Sequence, residues 1–101
     1  MISFADKVSV RPHVLIRLLD KEAVLLNLET ERYFGLDEIG TRMWQVTTAG
    51  PNIEFAYRQL LEEYDVDPEP LRQNLADLLE KLAENGLLTL TSSDVATPST
   101  I

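Results

Sequence analysis

The sequence predicts a small α+β domain, a three-stranded antiparallel sheet followed by three helices. Three observations carry that expectation. Between Val14 and Leu36, short runs of β-type residues are separated by polar breaks of hairpin length. After Asp37, apolar residues recur at helical spacing in three successive segments. The chain has 101 residues, 45% of them hydrophobic, which suffices for one modest core and not for two.

Residues 1–13 show only weak alternation, at Val8 and Val10, and end at a proline, so they are expected to form a loose N-terminal arm with at most a short strand. The domain proper is expected over 14–90. Val14, Ile16 and Leu18 alternate with Leu15, Arg17 and Leu19, which is a strand. Asp20 and Lys21 break it before Ala23 to Leu28, and Asn27 to Glu31 make a second turn before Arg32 to Leu36. In that third strand Arg32, Phe34 and Leu36 share one side, and Glu31, Tyr33 and Gly35 the other. Phe34 and Leu36 are assigned to the core.

Asp37 is a good N-cap, because its carboxylate can accept from the free amides of a first helical turn, and Ile39, Met43 and Val46 follow at helical spacing to about Thr47. Trp44 is expected to anchor the core, and Gly40 to mark a close approach of another element. Beyond Gly50-Pro51, Asn52 can cap a second helix whose apolar face is Ile53, Ala56, Tyr57, Leu60, Leu61 and Tyr64. Pro68 and Pro70 fit only the first turn of a third helix, where the amide a proline lacks has no partner. Leu71, Leu75, Leu78, Leu79 and Leu82 line one face of it, and Asn85-Gly86 ends it as a left-handed cap. Residues 91–101 are Ser/Thr/Pro-rich without periodicity and are expected to be a disordered tail.

Composition narrows the function. Seventeen acidic residues against nine basic give a net charge of -8, which repels a phosphate backbone. The chain has no cysteine, so thiolate metal sites, disulfides and cysteine nucleophiles are excluded. Its amino-terminal stretch does not read as a signal peptide, no apolar run approaches the ~18 residues of a membrane span, and the cytoplasm is the default location. His13, the only histidine, is read as surface decoration beside Pro12 and given no role. The cluster Glu62, Glu63, Asp65, Asp67 and Glu69 lacks the glycine and alternating ligands of a calcium loop and reads as a solvated, helix-capping loop. No phosphate loop and no catalytic grouping of serine, histidine and carboxylate is present, so neither enzymatic activity nor a cofactor or metal is expected.

Three helices beside a small meander suggest a winged-helix type of fold, which raises a DNA-binding transcription regulator as one reading. The third helix would be the reader, yet it exposes Glu69, Asp77, Glu80 and Glu84 against only Arg72 and Lys81. Peptide recognition fits this charge better: an open strand edge flanked by a helix offers an extended chain main-chain hydrogen bonds and side-chain pockets together.

At VLLNLETERYFGLDEIGTRMW, residues 24–44, followed by LLEEYDVD and by LRQNLADLLEKLAENGLL, the sequence resembles the PqqD family, whose fold is also called the RiPP recognition element. The likeness runs from about Val14 to Leu88. It implies a winged helix-turn-helix-like domain with no catalysis of its own. Members bind the leader segment of a ribosomally made precursor peptide as a strand added beside the third strand and against the third helix, and present it to a modifying enzyme or leader protease. Carried onto this chain, the strand contact falls on Glu31, Arg32, Tyr33 and Phe34, and the helix contact on Asn74, Leu75, Leu78 and Lys81. Tyr33 would be an aromatic wall, Leu75 and Leu78 a floor, and Arg32 and Lys81 partners for acidic leader side chains. The pairing backbone is that of Arg32 and Phe34 or, one residue out of register, that of Glu31 and Tyr33. The partner enzyme implied is a radical enzyme, as in pyrroloquinoline quinone assembly, or a cysteine protease with a cyclase, as in lasso-peptide pathways, which LLNLETERYFGLDEIG resembles more.

Overall fold

A computed structural model describes residues 2–92. Its elements, in order, are β1 (Asp6–Val10), β2 (Val14–Leu19), β3 (Glu22–Asn27), β4 (Arg32–Leu36), α1 (Glu38–Ala49), α2 (Ile53–Glu63), α3 (Pro68–Glu84) and β5 (Leu88–Ser92). Strands β2, β3 and β4 form the expected antiparallel meander in that spatial order. Leu25 pairs with Ile16 on one side and Phe34 on the other. The two hairpins turn through Asp20 and Glu31, each with φ of 63°.

Helices α1 and α2 begin as their capping residues dictate. Asp37 Oδ1 accepts from the Gly40 amide at 2.7 Å, and Asn52 Oδ1 from the Phe55 amide at 2.8 Å. Helix α3 opens on Pro68, and the Tyr57 hydroxyl donates to the Pro68 carbonyl at 3.3 Å, joining α2 to the start of α3. It closes at Gly86, whose φ of +72° is the left-handed conformation a residue with a Cβ resists. The core lies between the inner sheet face and the helices: Ala23, Leu25 and Leu36 meet Met43, Trp44, Ile53, Leu60, Leu75, Leu79 and Leu82, all buried. Trp44 anchors it as expected.

The amino-terminal arm is the main departure. β1 pairs antiparallel with β5, Val8 opposite Leu90, and Val8 is buried in the same core as the helices. Two alternating valines are too short a pattern to declare a strand by themselves; the partner that completes it arrives some eighty residues later, as Thr89 opposite Ser9 shows. Ordered structure therefore crosses the expected boundary at residues 13 and 14. At the other end β5 carries Thr91 and Ser92, which were expected in the tail; the rest of that expectation, residues 93–101, lies outside the described residues.

Candidate functional site

β4 is the third strand of a three-stranded sheet, so among the described residues one of its sides has no strand beside it. Which of its backbone groups face outward follows from one bond. The Leu28 amide donates to the His13 carbonyl at 2.9 Å across the β2–β3 hairpin, so Leu28, Leu26 and Val24 turn their amides and carbonyls toward β2. Successive residues alternate, so Asn27, Leu25 and Ala23 face β4, and their partners Arg32, Phe34 and Leu36 are used in the ladder. The outward groups on β4 are those of Tyr33 and Gly35. Tyr33 thus lies in the outward frame and Arg32 and Phe34 do not, while the Glu31 amide is already taken, donating to the Asn27 carbonyl at 2.8 Å.

Beside this edge, residues Phe34, Gly35, Leu36, Asp37, Gly40, Asp77, Leu78 and Lys81 line an open cleft of about 440 Å³. Helix α3 presents two adjacent stripes. Leu71, Leu75, Leu79 and Leu82 are buried in the core, whereas Asn74, Asp77, Leu78 and Lys81, related by three and four residues, form the stripe turned toward the cleft side. Leu78 sits between the two, partly buried against the core and partly open. Gly40 is buried at the cleft's end: a Cβ there would lie 3.1 Å from its own capping carboxylate, Asp37 Oδ1. The close approach expected at Gly40 is thus made by its own helix cap and, at 3.5 Å, by Leu36 Cδ2 at the end of β4.

What fixes the other end of β4 against α3 is Asn27. It is buried, its amide nitrogen donates to the Asn85 and Gly86 carbonyls at 3.3 and 3.4 Å, and its oxygen accepts from the Glu29 and Thr30 amides at 2.9 and 3.3 Å. One side chain therefore ties the β3–β4 turn to the end of α3. Around it lies a second hollow, of about 500 Å³, bordered by Arg11, His13, Arg32 and Glu84 among others. His13 is not surface decoration: its side chain is only 16% exposed and its Nε2 lies 3.5 Å from Glu29 Oε1.

The residues expected to act together are sorted by this geometry. Phe34, Leu78 and Lys81 meet at the cleft, and Asn74 continues their stripe one turn back. Arg32 borders the second hollow instead. Glu31 is a turn residue preceding the strand. Tyr33 offers its backbone to the edge, but its ring projects to the opposite face of the sheet and is 77% exposed, so it is no wall of the cleft. Leu75 is fully buried and cannot be its floor. Gly35, Leu36, Asp37, Gly40 and Asp77 line the cleft without having been expected there. The helical spacing Asn74, Asp77, Leu78, Lys81 was the signal that could have found Asp77.

Among the described residues no group of three or more histidine, aspartate or glutamate side chains is placed to hold a metal, and no helix is long and apolar enough to cross a membrane. The arrangement offers main-chain donors and acceptors beside an apolar hollow, with a cation, Lys81, at its rim.

The family model for coenzyme PQQ synthesis protein D (PqqD) matches residues 22–88, from β3 to the start of β5 and thus all of the cleft. The chain belongs to the PqqD family. Comparison with curated proteins gives no match. Among solved structures, TbiB1 in complex with the TbiA(beta) leader peptide superposes on this PqqD-family domain with a TM-score of 0.74 and 36% identity, over 79% of this chain and 93% of that one. A lasso peptide synthetase B1, complexed with the leader peptide, shares the fold at a TM-score of 0.74 and 24% identity, over 82% of this chain and 98% of that one.

Proposed function

We propose that this PqqD-family domain is a non-catalytic recognition element that binds the leader segment of a ribosomally synthesised precursor peptide. The leader adds as a strand to β4 and presses side chains into the adjoining cleft. The observation that carries this reading is the open β4 edge standing beside the cleft of Phe34, Leu36 and Leu78. The leader-peptide complex of TbiB1, 36% identical, supports it. Tyr33 and Gly35 supply the main-chain bonds, Phe34 and Leu78 the apolar contact, and Lys81, with Arg32 further along, meets acidic leader side chains. As rim ion pairs these add little affinity and chiefly select the partner. Asn74 extends the helix contact.

The bound leader is delivered to a separate enzyme that modifies or cleaves the precursor, a cysteine protease with a cyclase in a lasso-type pathway or a radical enzyme in a quinone-type one. The test is a fluorescence-polarisation titration with the labelled leader of the precursor encoded beside this chain. Saturable binding is expected, and Leu78→Glu abolishes it while the circular dichroism spectrum is kept. An unchanged affinity in Leu78→Glu would reject the cleft as the site.

A further inference from the structure

The track beside β4 does not end at Phe34. On the inner face of the sheet Phe34 lies opposite Leu25, and Arg32 lies opposite Asn27. Opposed residues of neighbouring strands share a face, so a strand added to β4 sends one inner-face side chain past Phe34 and another, two residues or about 7 Å away, past Arg32. Helix α3 keeps step. From Lys81 at the cleft to Asn85 at the second hollow is four residues, about 6 Å of helix. The cleft and the hollow of about 500 Å³ are therefore consecutive openings along one track, the first floored by Phe34 and Leu78 and the second bordered by polar side chains.

The second opening holds donors with nothing to donate to. Among the described residues neither the Arg11 nor the Arg32 guanidinium has a hydrogen-bond or ion-pair partner, and Arg11 Nε is buried without one. Elsewhere Arg42, Arg58 and Arg72 each find a glutamate. The two carboxylates at the hollow do not serve: Glu29 lies beside His13 Nε2, and Glu84 is exposed at the rim and pairs with neither arginine. Arg11 is also held in place, since its amide donates to the Leu87 carbonyl at 3.4 Å and its carbonyl accepts from the Val14 amide at 3.2 Å. A buried donor without a partner costs the folded chain stability, and a ligand that supplies the acceptor removes that cost.

We infer that this hollow is a carboxylate subsite, which takes an aspartate or glutamate of the bound leader two residues from the side chain seated in the cleft, with Arg11 and Arg32 as its donors. The inference rests on the leader-binding reading above. A guanidinium presents a fork of N–H groups that fits the two oxygens of a carboxylate. A basic leader residue at this position would meet two like charges, and an apolar one would leave Arg11 Nε dry and unpaired. Arg32 by itself is an exposed rim cation; Arg11, with its Nε shut off from water, makes the pair more than a rim contact. Arg11 and His13 precede residues 22–88, the stretch matched by the PqqD family model, so the amino-terminal segment adds this subsite to the cleft that the matched stretch builds.

A double-mutant cycle tests the pairing. Fluorescence polarisation is measured with the leader of the precursor encoded beside this chain, each of its acidic residues changed in turn to the matching amide. One such leader should bind the wild-type protein about 10-fold more weakly than the unchanged leader, yet the two should bind Arg11→Met equally well. Arg11→Met should itself bind the unchanged leader about 10-fold more weakly, and should melt at the same or a higher temperature because it removes an unpaired buried donor. An arginine with a merely structural role would lower the melting temperature instead. Arg32→Gln, at an exposed edge position, should repeat the binding pattern with no burden on the fold. Lys7→Met removes the same charge about 13 Å down β1 and should bind as the wild type does. Binding of Arg11→Met and Arg32→Gln within about twofold of wild type, losses that add in full for every leader variant, or a leader with no acidic residue at that spacing would each overturn the subsite and leave recognition at the cleft standing. A wild-type chain that does not bind the leader at all brings down the reading on which the subsite rests.

Discussion

Replacing Gly35 by proline separates strand addition from every other way of filling the cleft. The Gly35 amide is one of the two on β4 that point away from β3, so losing it takes no bond from the sheet, and proline is tolerated on edge strands for that reason. A Cβ on Gly35 meets nothing within 4 Å, and the preceding Phe34 is already in the extended conformation that proline demands of its neighbour. The fold should therefore survive. A leader laid along β4 loses the bond from that amide, a net 0.5–1.5 kcal/mol, and leaves a peptide carbonyl dry and unpaired at a further cost of about 1–3 kcal/mol. The sum, about 1.5–4.5 kcal/mol, is a loss of affinity of roughly 10- to 2,000-fold. Gly35→Ala keeps the amide and reduces the freedom of the unfolded chain, so it should bind within about threefold of wild type and melt at an equal or slightly higher temperature. Isothermal titration calorimetry against the leader, with thermal melts of all three proteins, reads both quantities. If Gly35→Pro is folded and binds within about threefold of wild type, the leader does not pair with β4, and the register derived from the Leu28 to His13 bond loses its functional meaning.

Leu75→Ala and Leu78→Glu should behave oppositely. The first opens a cavity in the core and costs about 2–5 kcal/mol of stability in a denaturant titration, yet leaves leader affinity nearly unchanged wherever the protein is still folded. The second costs less stability than the first, since Leu78 is only half-buried, and removes binding. Asn27→Ala, which unties the β3–β4 turn from the end of α3, should lower stability by about 1–2 kcal/mol and weaken the leader by raising its dissociation rate in stopped-flow traces. Arg42 and Glu63 join α1 to α2, with Arg42 Nε donating to Glu63 Oε1 at 2.7 Å, and this bond holds the Glu63 carboxyl below the usual carboxylate range. Its stabilisation is therefore present above that range and lost as pH falls through it. Both side chains are about one-third exposed, so the effect is under about 1 kcal/mol, and Glu63→Gln should flatten the acid limb of a melting-temperature profile by no more than that.

The parts of the fold legible in the sequence are those whose cause is local. Asp37 and Asn52 cap the helices they precede, Pro68 opens α3 and Gly86 ends it, because each effect spans three or four residues. β1 was not legible as part of the core, since what buries Val8 is a strand at the far end of the chain. The site divides along the same line. Lys81 and Leu78 could be placed near the cleft from helical spacing and a family resemblance. Leu75, one turn away from Leu78 and equally apolar, could not be told from it, since a shift of about 60° around a helix decides between core and cleft and both residues satisfy the same leucine pattern. Tyr33 is a different case: period 2 already sets it on the face opposite Phe34 and Leu36, so the wall that the resemblance implied conflicts with the strand's own alternation, and its ring is 77% exposed. The outward backbone of β4 is further from sequence still. It depends on a bond between Leu28 and His13 in the other hairpin, two strands away, so the groups offered to a guest strand are set by the register of strands it never touches.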